Sequence, residues 1–416
     1  MITVIGLGFV GLTTALGFCS KGYKVYGIEI DKTKLNLIKG NKIPFLEPHL
    51  EDALQEYNGN IFFPTDNLKE AVENSEYIFL CVGTPCDTYG AANLSYIFRA
   101  IQDTVRFINK NIYKVLIIKS TVPPSSTKEK IKPFIENLGF IVGENIGLVS
   151  NPEFLREGYS WKDFINPDRV VIGQLDEKSG LLVENLYKVF NAPTIRVSLN
   201  TAEFIKYLSN TLLAAMISFS NDMSICADTI GDINISKAFR ILHMDKRWYG
   251  NPAAMKNYIY PGCGFGGYCL PKDTQALYSQ TMEKGYKSTV LESILNVNEK
   301  IKEYIVDKIL KETKKGDYIG ILGLAFKPDS DDVRETPSKY IIDMLLQRGY
   351  RHIVVYDPNA NSNFAAMYNL PIEYEENMIK VVNKAENIII LTAWDEFKEN
   401  RDLLLNKKIF DFRYIL

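Results

Sequence analysis

The chain has 416 residues, 46% hydrophobic and 24% charged, enough for about three globular domains and too charged for a membrane protein. Its 48 Lys and Arg against 50 Asp and Glu give a net charge of −2, so global charge calls for neither nucleic acid nor an anionic membrane as partner. No apolar stretch approaches the roughly 20 residues that span a bilayer. Residues Ile2–Ile5 read as a core strand rather than as part of a cleavable signal, which predicts a cytoplasmic protein.

In chain order, short β-branched runs occupy 2–6, 23–30, 77–83, 114–120, 146–151 and 169–173, separated by helix-length segments. This alternation predicts a parallel, doubly wound sheet. From about 200 to 310 the strand signal disappears, and 201–231 and 288–312 carry helical periodicity. Alternation returns with runs at 317–327, 351–358, 387–394 and 407–412. The expected architecture is α/β: two Rossmann-like doubly wound domains joined by a helical central domain with a long connecting helix. The expected boundaries are 1–195, 196–312 and 313–416. Phe204, Ile205, Leu208, Leu212, Leu213, Met216, Ile217 and Phe219 cover too wide an arc for a helix with one wet face, which predicts a homodimer through the helical domain.

Gly6-Leu7-Gly8-Phe9-Val10-Gly11 follows the first strand and opens a helix, the arrangement that seats a pyrophosphate on a helix N-terminus. Glu29 ends the next strand, 21 residues after Gly8, where an acid holds ribose hydroxyls and favours NAD over NADP; Asp31 competes for that role. Thr84 and Thr121 lie just beyond two further strands, each equally a turn residue or a ligand contact. Glu153 and Glu157 follow the strand at 146–150 and would share a face if their segment were helical, as a pair for base work or as a solvated helix start. Lys206 and Asn210 repeat that spacing on the first long helix. The Lys fits either an alkoxide-stabilising cation or a solvent-reaching side chain.

Three His and six Cys show no metal-ligand spacing, so no metal is expected, and Cys, Lys, Glu and Asp must carry the chemistry. The segment 262–273, GCGFGGYCLPKD, places four glycines before Cys269, with Lys272 and Asp273 beyond it. A thiolate is a good nucleophile towards an aldehyde, and a cationic neighbour lowers its pKa; a buried structural Cys is the alternative. Lys327 and Arg334 fall in a charged loop, KPDSDDVRE, that fits either a phosphate contact or solvent.

Taken together, FGGYCLPKD, NPEFLREG with the later NPDRVVIG, and LAFKPDSDDVRE resemble the UDP-glucose/GDP-mannose dehydrogenase family over essentially the whole chain. The resemblance implies two successive oxidations, with two NAD in turn, of a nucleotide sugar's primary alcohol to a carboxylate. UDP-glucose is the leading sugar, with GDP-mannose or a UDP-N-acetylhexosamine as alternatives, and a non-catalytic nucleotide-sugar binding protein is a further one. By the same resemblance, Cys269 matches the nucleophile and Lys206 and Asn210 the pair on the reacting oxygen. Asp273 and Thr121 match residues around the water, and Glu157 the acid of thioester hydrolysis with Glu153 beside it. Glu29, Lys34, Thr84, Thr121 and Arg334 match cofactor contacts, grouped with the Gly6–Gly11 turn, Glu157 and Lys272. Phe154, Leu155, Tyr258, Gly266, Lys327 and Arg413 match sugar-nucleotide contacts, and Arg247 an Arg that reaches the neighbouring subunit's substrate. Two departures stand out: Glu29 where the family usually has Asp, and extra residues at 251–257 beside the glycine-rich segment, which leave the sugar open.

Overall fold

The computed structural model describes residues 1–45, 47–85, 91–156, 158–250, 253, 255, 258, 261–267 and 269–416; the side chains of 217, 269, 272, 273, 276, 277 and 280 lie outside the description. The chain divides into two compact units, Met1–Ala214 and Ala215–Leu416.

In the first unit, eight strands form one sheet: β1 (Ile2–Ile5), β2 (Val25–Ile28), β3 (Phe62–Thr65), β4 (Tyr77–Leu80), β5 (Lys114–Ile118), β6 (Ile146–Ser150), β7 (Val170–Gln174) and β8 (Thr194–Ser198), in the order 3-2-1-4-5-6-7-8. The order reverses between β1 and β4, and ligands in such sheets lie beyond the carboxyl ends of the strands at that reversal. Both faces are buried. Val115 and Ile117 of β5 face one core with Leu12, Leu16 and Phe18, while Leu116 and Ile118 face another with Ile97 and Ile101. Burial on both sides explains why the central strands read as unbroken apolar runs.

One pairing departs from the parallel expectation. β6 and β7 are antiparallel, and their register joins only Val149 to Gln174 and Ser150 to Gly173, at the carboxyl ends of both strands. β7 and its parallel neighbour β8 therefore project past the end of β6. The connection 151–169, with one short helix at Ser160–Ile165, thus stays at the ligand-binding edge of the sheet.

The second unit holds a five-stranded, fully parallel sheet: β9 (Ile319–Leu322), β10 (Ile353–Tyr356), β11 (Glu373–Tyr374), β12 (Asn387–Ile390) and β13 (Lys408–Asp411), ordered 11-10-9-12-13. Asp357, buried at the end of β10, accepts backbone N–H bonds from Leu324 (2.7 Å), Ala325 (3.0 Å), Asn359 (3.0 Å) and Ala360 (2.9 Å), which fixes the turn after β9. Ahead of this sheet lie the helices Ile235–Leu242, Cys269–Glu283 and Thr289–Glu312. The 32-residue helix Leu199–Ile230 carries the boundary between the units.

Candidate active site

At the reversal point of the first sheet, Gly6, Leu7 and Gly8 lead into the helix Phe9–Cys19. A Cβ on Gly11 would stand 1.8 Å from the Gly6 carbonyl oxygen, so the helix starts this close to the strand only because residue 11 is glycine. Val10 lies in the first turn, where its carbonyl accepts the Thr14 hydroxyl at 2.7 Å. No side chain caps this helix and its first turn holds no acid, while a Cβ on Gly8 would meet nothing within 4 Å. An uncapped, open helix N-terminus next to a strand end fits a dinucleotide pyrophosphate.

Glu29 is buried just past β2, and its carboxylate accepts the Leu7 N–H at 3.2 Å and the Asp31 N–H at 3.0 Å. Asp31 is occupied otherwise: it caps the helix Lys32–Lys39, accepting from the N–H groups of Thr33 (2.9 Å) and Lys34 (3.2 Å). Beyond β4 and β5 the strand ends are stitched together. The Thr84 hydroxyl donates to the Thr121 carbonyl at 2.8 Å and the Ser120 hydroxyl to the Val82 carbonyl at 2.6 Å.

A cavity of about 350 Å³ opens beside these strand ends, lined among others by Asn151, Glu153, Phe154, Leu155, Lys206 and Asn210. Residues 151–156 are not helical, so Glu153 does not sit on a helix face; Glu157 lies outside the described residues. Glu153 instead turns to Lys206: Oε1 lies 2.8 Å from the ammonium, with both side chains about a tenth exposed. Its other oxygen accepts the Leu155 N–H at 2.6 Å. Two cations approach the Phe154 ring, the Arg169 guanidinium at 4.0 Å and the Lys206 ammonium at 5.7 Å from its centroid. Asn210, one turn after Lys206, lines the same cavity.

Sequence reasoning did not single out a second lysine here. Lys119 is buried and donates to Asn151 Oδ1 at 3.0 Å; Tyr187 donates its hydroxyl to the same oxygen at 2.6 Å, and Asn151 Nδ2 donates to the Val171 carbonyl at 2.8 Å. Burial pushes the Lys119 ammonium down to about 8 and the nearby Cys81 thiol up to about 12. Of the two lysines, Lys206 rests on a carboxylate and Lys119 on an amide oxygen. Lys206 is therefore the one whose ammonium is paired directly with an opposite charge. Glu47 was likewise unmarked; it accepts the N–H groups of Gly158 (2.9 Å) and Ser160 (2.8 Å) and so ties down the far end of the loop. Lys119 had a legible signal, a cation closing an apolar run; Glu47 had none.

In the second unit the glycine-rich segment packs on the charged loop after β9. A Cβ on Gly266 would lie 2.3 Å from the Glu335 carbonyl oxygen, and the Gly267 N–H donates to the Arg334 carbonyl at 2.8 Å. Arg334 forms a fork with Asp332 (3.0 and 2.7 Å), and Lys327 is exposed with its ammonium 5.6 Å from the Phe326 ring centroid. A Cβ on Gly262 would lie 2.3 Å from the Arg413 guanidinium. Gly266 is thus set against the Arg334–Glu335 backbone, and Arg413 against Gly262 of the same segment. Arg247 and Tyr258 form a pair of their own, guanidinium to hydroxyl 3.3 Å. The helix Cys269–Glu283 begins at Cys269, but the side chains of Cys269, Lys272 and Asp273, and most of 251–257, lie outside the described residues.

Three family domains cover the chain in order. These are the NAD binding domain of the UDP-glucose/GDP-mannose dehydrogenase family at residues 1–191, its central domain at 200–300 and its UDP binding domain at 320–416. The chain belongs to the UDP-glucose/GDP-mannose dehydrogenase family. It is an NAD-dependent dehydrogenase of nucleotide sugars, built on the two parallel-sheet units described above. It is 36% identical over 403 residues to the UDP-glucose 6-dehydrogenase TuaD of Bacillus subtilis, covering 96% of this chain and 84% of that one. It is 33% identical over 411 residues to a GDP-mannose 6-dehydrogenase of Pseudomonas aeruginosa, covering 97% and 90%. Among solved structures, a ternary complex of GDP-mannose dehydrogenase from Pseudomonas aeruginosa matches with a TM-score of 0.87 at 30% identity, covering 100% of this chain and 97% of that one.

Proposed function

We infer that the protein is a UDP-glucose 6-dehydrogenase that oxidises UDP-glucose twice, to UDP-glucuronate. The observation that carries the sugar assignment is the 36% identity to a UDP-glucose 6-dehydrogenase over 96% of the chain. A second reading, GDP-mannose as substrate, is favoured by the 0.87 TM-score to a GDP-mannose dehydrogenase. Assaying NADH release with UDP-glucose, GDP-mannose and a UDP-N-acetylhexosamine separates the two: preference for GDP-mannose overturns the first.

Each oxidation takes one hydride from the sugar C6 and one proton from the oxygen that C6 carries, and NAD, when bound, supplies the hydride acceptor. Lys206 and Asn210 donate hydrogen bonds to the reacting oxygen as negative charge develops on it, an effect of about 3 kcal/mol per well-placed donor. Glu153 anchors the Lys206 ammonium through its 2.8 Å contact. The Cys269 thiolate adds to the aldehyde carbonyl carbon, giving a thiohemiacetal, and loss of the second hydride leaves a thioester. Water, held by Thr121 and Asp273 with Glu157 as the assisting acid, cleaves it to the carboxylate and returns the thiol. Phe154, Leu155, Gly266, Tyr258, Lys327, Arg413 and Arg247 hold the nucleotide sugar; Glu29, Lys34, Thr84, Lys272 and Arg334 complete the cofactor site.

Glu29 sets the choice of cofactor. A 2′-phosphate at the ribose would face its carboxylate, and two unit charges about 4 Å apart repel by about 1 kcal/mol in water and more where desolvated. NAD is expected to exceed NADP in kcat/KM by about tenfold or more. Equal efficiencies would remove Glu29 from the ribose and make Asp31 the residue to test.

The reading includes a homodimer. Phe204, Leu208 and Leu213 are each more than half exposed on the helix Leu199–Ile230, with Met216 and Phe219 further along it. Apolar faces of this extent call for a covering partner, and a two-fold copy is the commonest. Sedimentation at micromolar concentration is expected to give the dimer mass; a monomer overturns it.

A further inference from the structure

We propose that Asn298 is a positioning residue for Cys269, acting through the backbone of Phe265; this rests on the function proposed above. Asn298 is buried on the helix Thr289–Glu312, and both ends of its amide engage one residue of the glycine-rich segment. Oδ1 accepts the Phe265 N–H at 2.7 Å and Nδ2 donates to the Phe265 carbonyl at 3.1 Å. Only a carboxamide offers an acceptor and a donor side by side without charge, so Asn matches a backbone residue's own N–H and C=O.

The next two residues are held from a different element. Gly266 is in contact with the Glu335 carbonyl, and the Gly267 N–H donates to the Arg334 carbonyl. Phe265 and Gly267 are therefore held by hydrogen bonds on either side of a closely packed Gly266, and the helix that starts at Cys269 begins two residues later. The helix bearing Asn298 is itself a rigid support: Leu291, Ile305, Val306 and Ile309 are buried along it. One turn on, buried Lys302 pairs with Glu299 at 2.7 Å and lies 4.1 Å from the Tyr340 ring centroid. Tyr340 donates its hydroxyl to Glu335, the residue whose carbonyl abuts Gly266. The entry to Cys269 is thus gripped by Asn298 on one side and by the Arg334–Glu335 backbone on the other. Misplacing a reacting group by about 1 Å can cost on the order of 10²-fold in rate, and a grip on the chain just ahead of a nucleophile prevents that drift.

The test uses the full-length protein with Asn298→Ala, which removes both bonds. It also uses Asn298→Asp, which keeps an acceptor for the Phe265 N–H but sets an anionic oxygen against the Phe265 carbonyl. Three quantities are read: kcat and KM for the nucleotide sugar and NAD, the melting temperature, and the iodoacetamide alkylation rate of Cys269, followed by peptide mass spectrometry without sugar. Expected for a folded variant are a kcat at least 30-fold lower, an NAD KM within twofold of wild type, and a Cys269 alkylation rate changed at least fivefold. A role in stability alone lowers the melting temperature and leaves alkylation of the folded protein as it was. An alkylation rate within fivefold, or a kcat less than 30-fold lower, overturns the proposal. If Asn298→Ala does not fold, Asn298→Asp is read by the same limits. A wild type that oxidises no nucleotide sugar defeats the proposed function, whereas the alkylation rate still decides whether Asn298 places Cys269.

Discussion

Cys269→Ser is expected to lower turnover from alcohol to acid at least 10³-fold, about 4 kcal/mol of lost barrier stabilisation, while binding of nucleotide sugar and NAD stays near normal. Serine is nearly isosteric, and the first hydride transfer needs only Lys206, Asn210 and the cofactor around the sugar alcohol. The step that fails is capture of the aldehyde. A serine hydroxyl is essentially never ionised at neutral pH, whereas a thiol with Lys272 three residues on in the sequence has the means to be. Supplying the aldehyde directly is not expected to rescue the variant, because the block falls after it. A steady-state assay of uronate formation decides: more than about a tenth of wild-type turnover from alcohol to acid would make Cys269 a packing residue.

Lys206→Met is expected to lower kcat by about 10²- to 10³-fold, the usual loss for one donor aimed at a developing oxyanion. Methionine preserves the apolar stem, so the loss reports the ammonium rather than the packing. The variant also strands Glu153, whose Oε1 has Lys206 at 2.8 Å in a mostly buried setting. Breaking one partner out of a buried pair typically costs about 3–5 kcal/mol. A fall in melting temperature is therefore expected alongside the kinetic loss, and Lys206→Met/Glu153→Gln is expected to recover stability but not kcat. Recovery of kcat in the double variant would reduce Lys206 to a counter-ion for Glu153.

The legible part of the fold was the part buried on both sides. β1, β4, β5, β6, β9 and β12 lie inside their sheets and read as apolar runs because helices cover both faces. The runs read from sequence omit β3, β8 and β11, and all three are edge strands. β3 contains Pro64, β8 is only partly buried and β11 has two residues, so each lacks the continuous apolar signal. Strand direction was illegible too. Nothing in the composition of 151–169 distinguishes a crossover from a loop that stays at one edge, yet that choice delivers Glu153 and Phe154 to the cavity. In the site, the spacing of Lys206 and Asn210 and the context of Gly6–Gly11 and Glu29 could be read locally. The Glu153–Lys206 pair could not, since it joins residues 53 apart in the chain through the β7–β8 projection. Asn298 was invisible for the same reason: its meaning lies in the Phe265 backbone, 33 residues away.

The measurement that bears most directly on the account is the number of NADH released per nucleotide sugar consumed, taken to completion with UDP-glucose under saturating NAD. Two are expected, with UDP-glucuronate as the product and no free aldehyde. One NADH per sugar with aldehyde released into solution would contradict it.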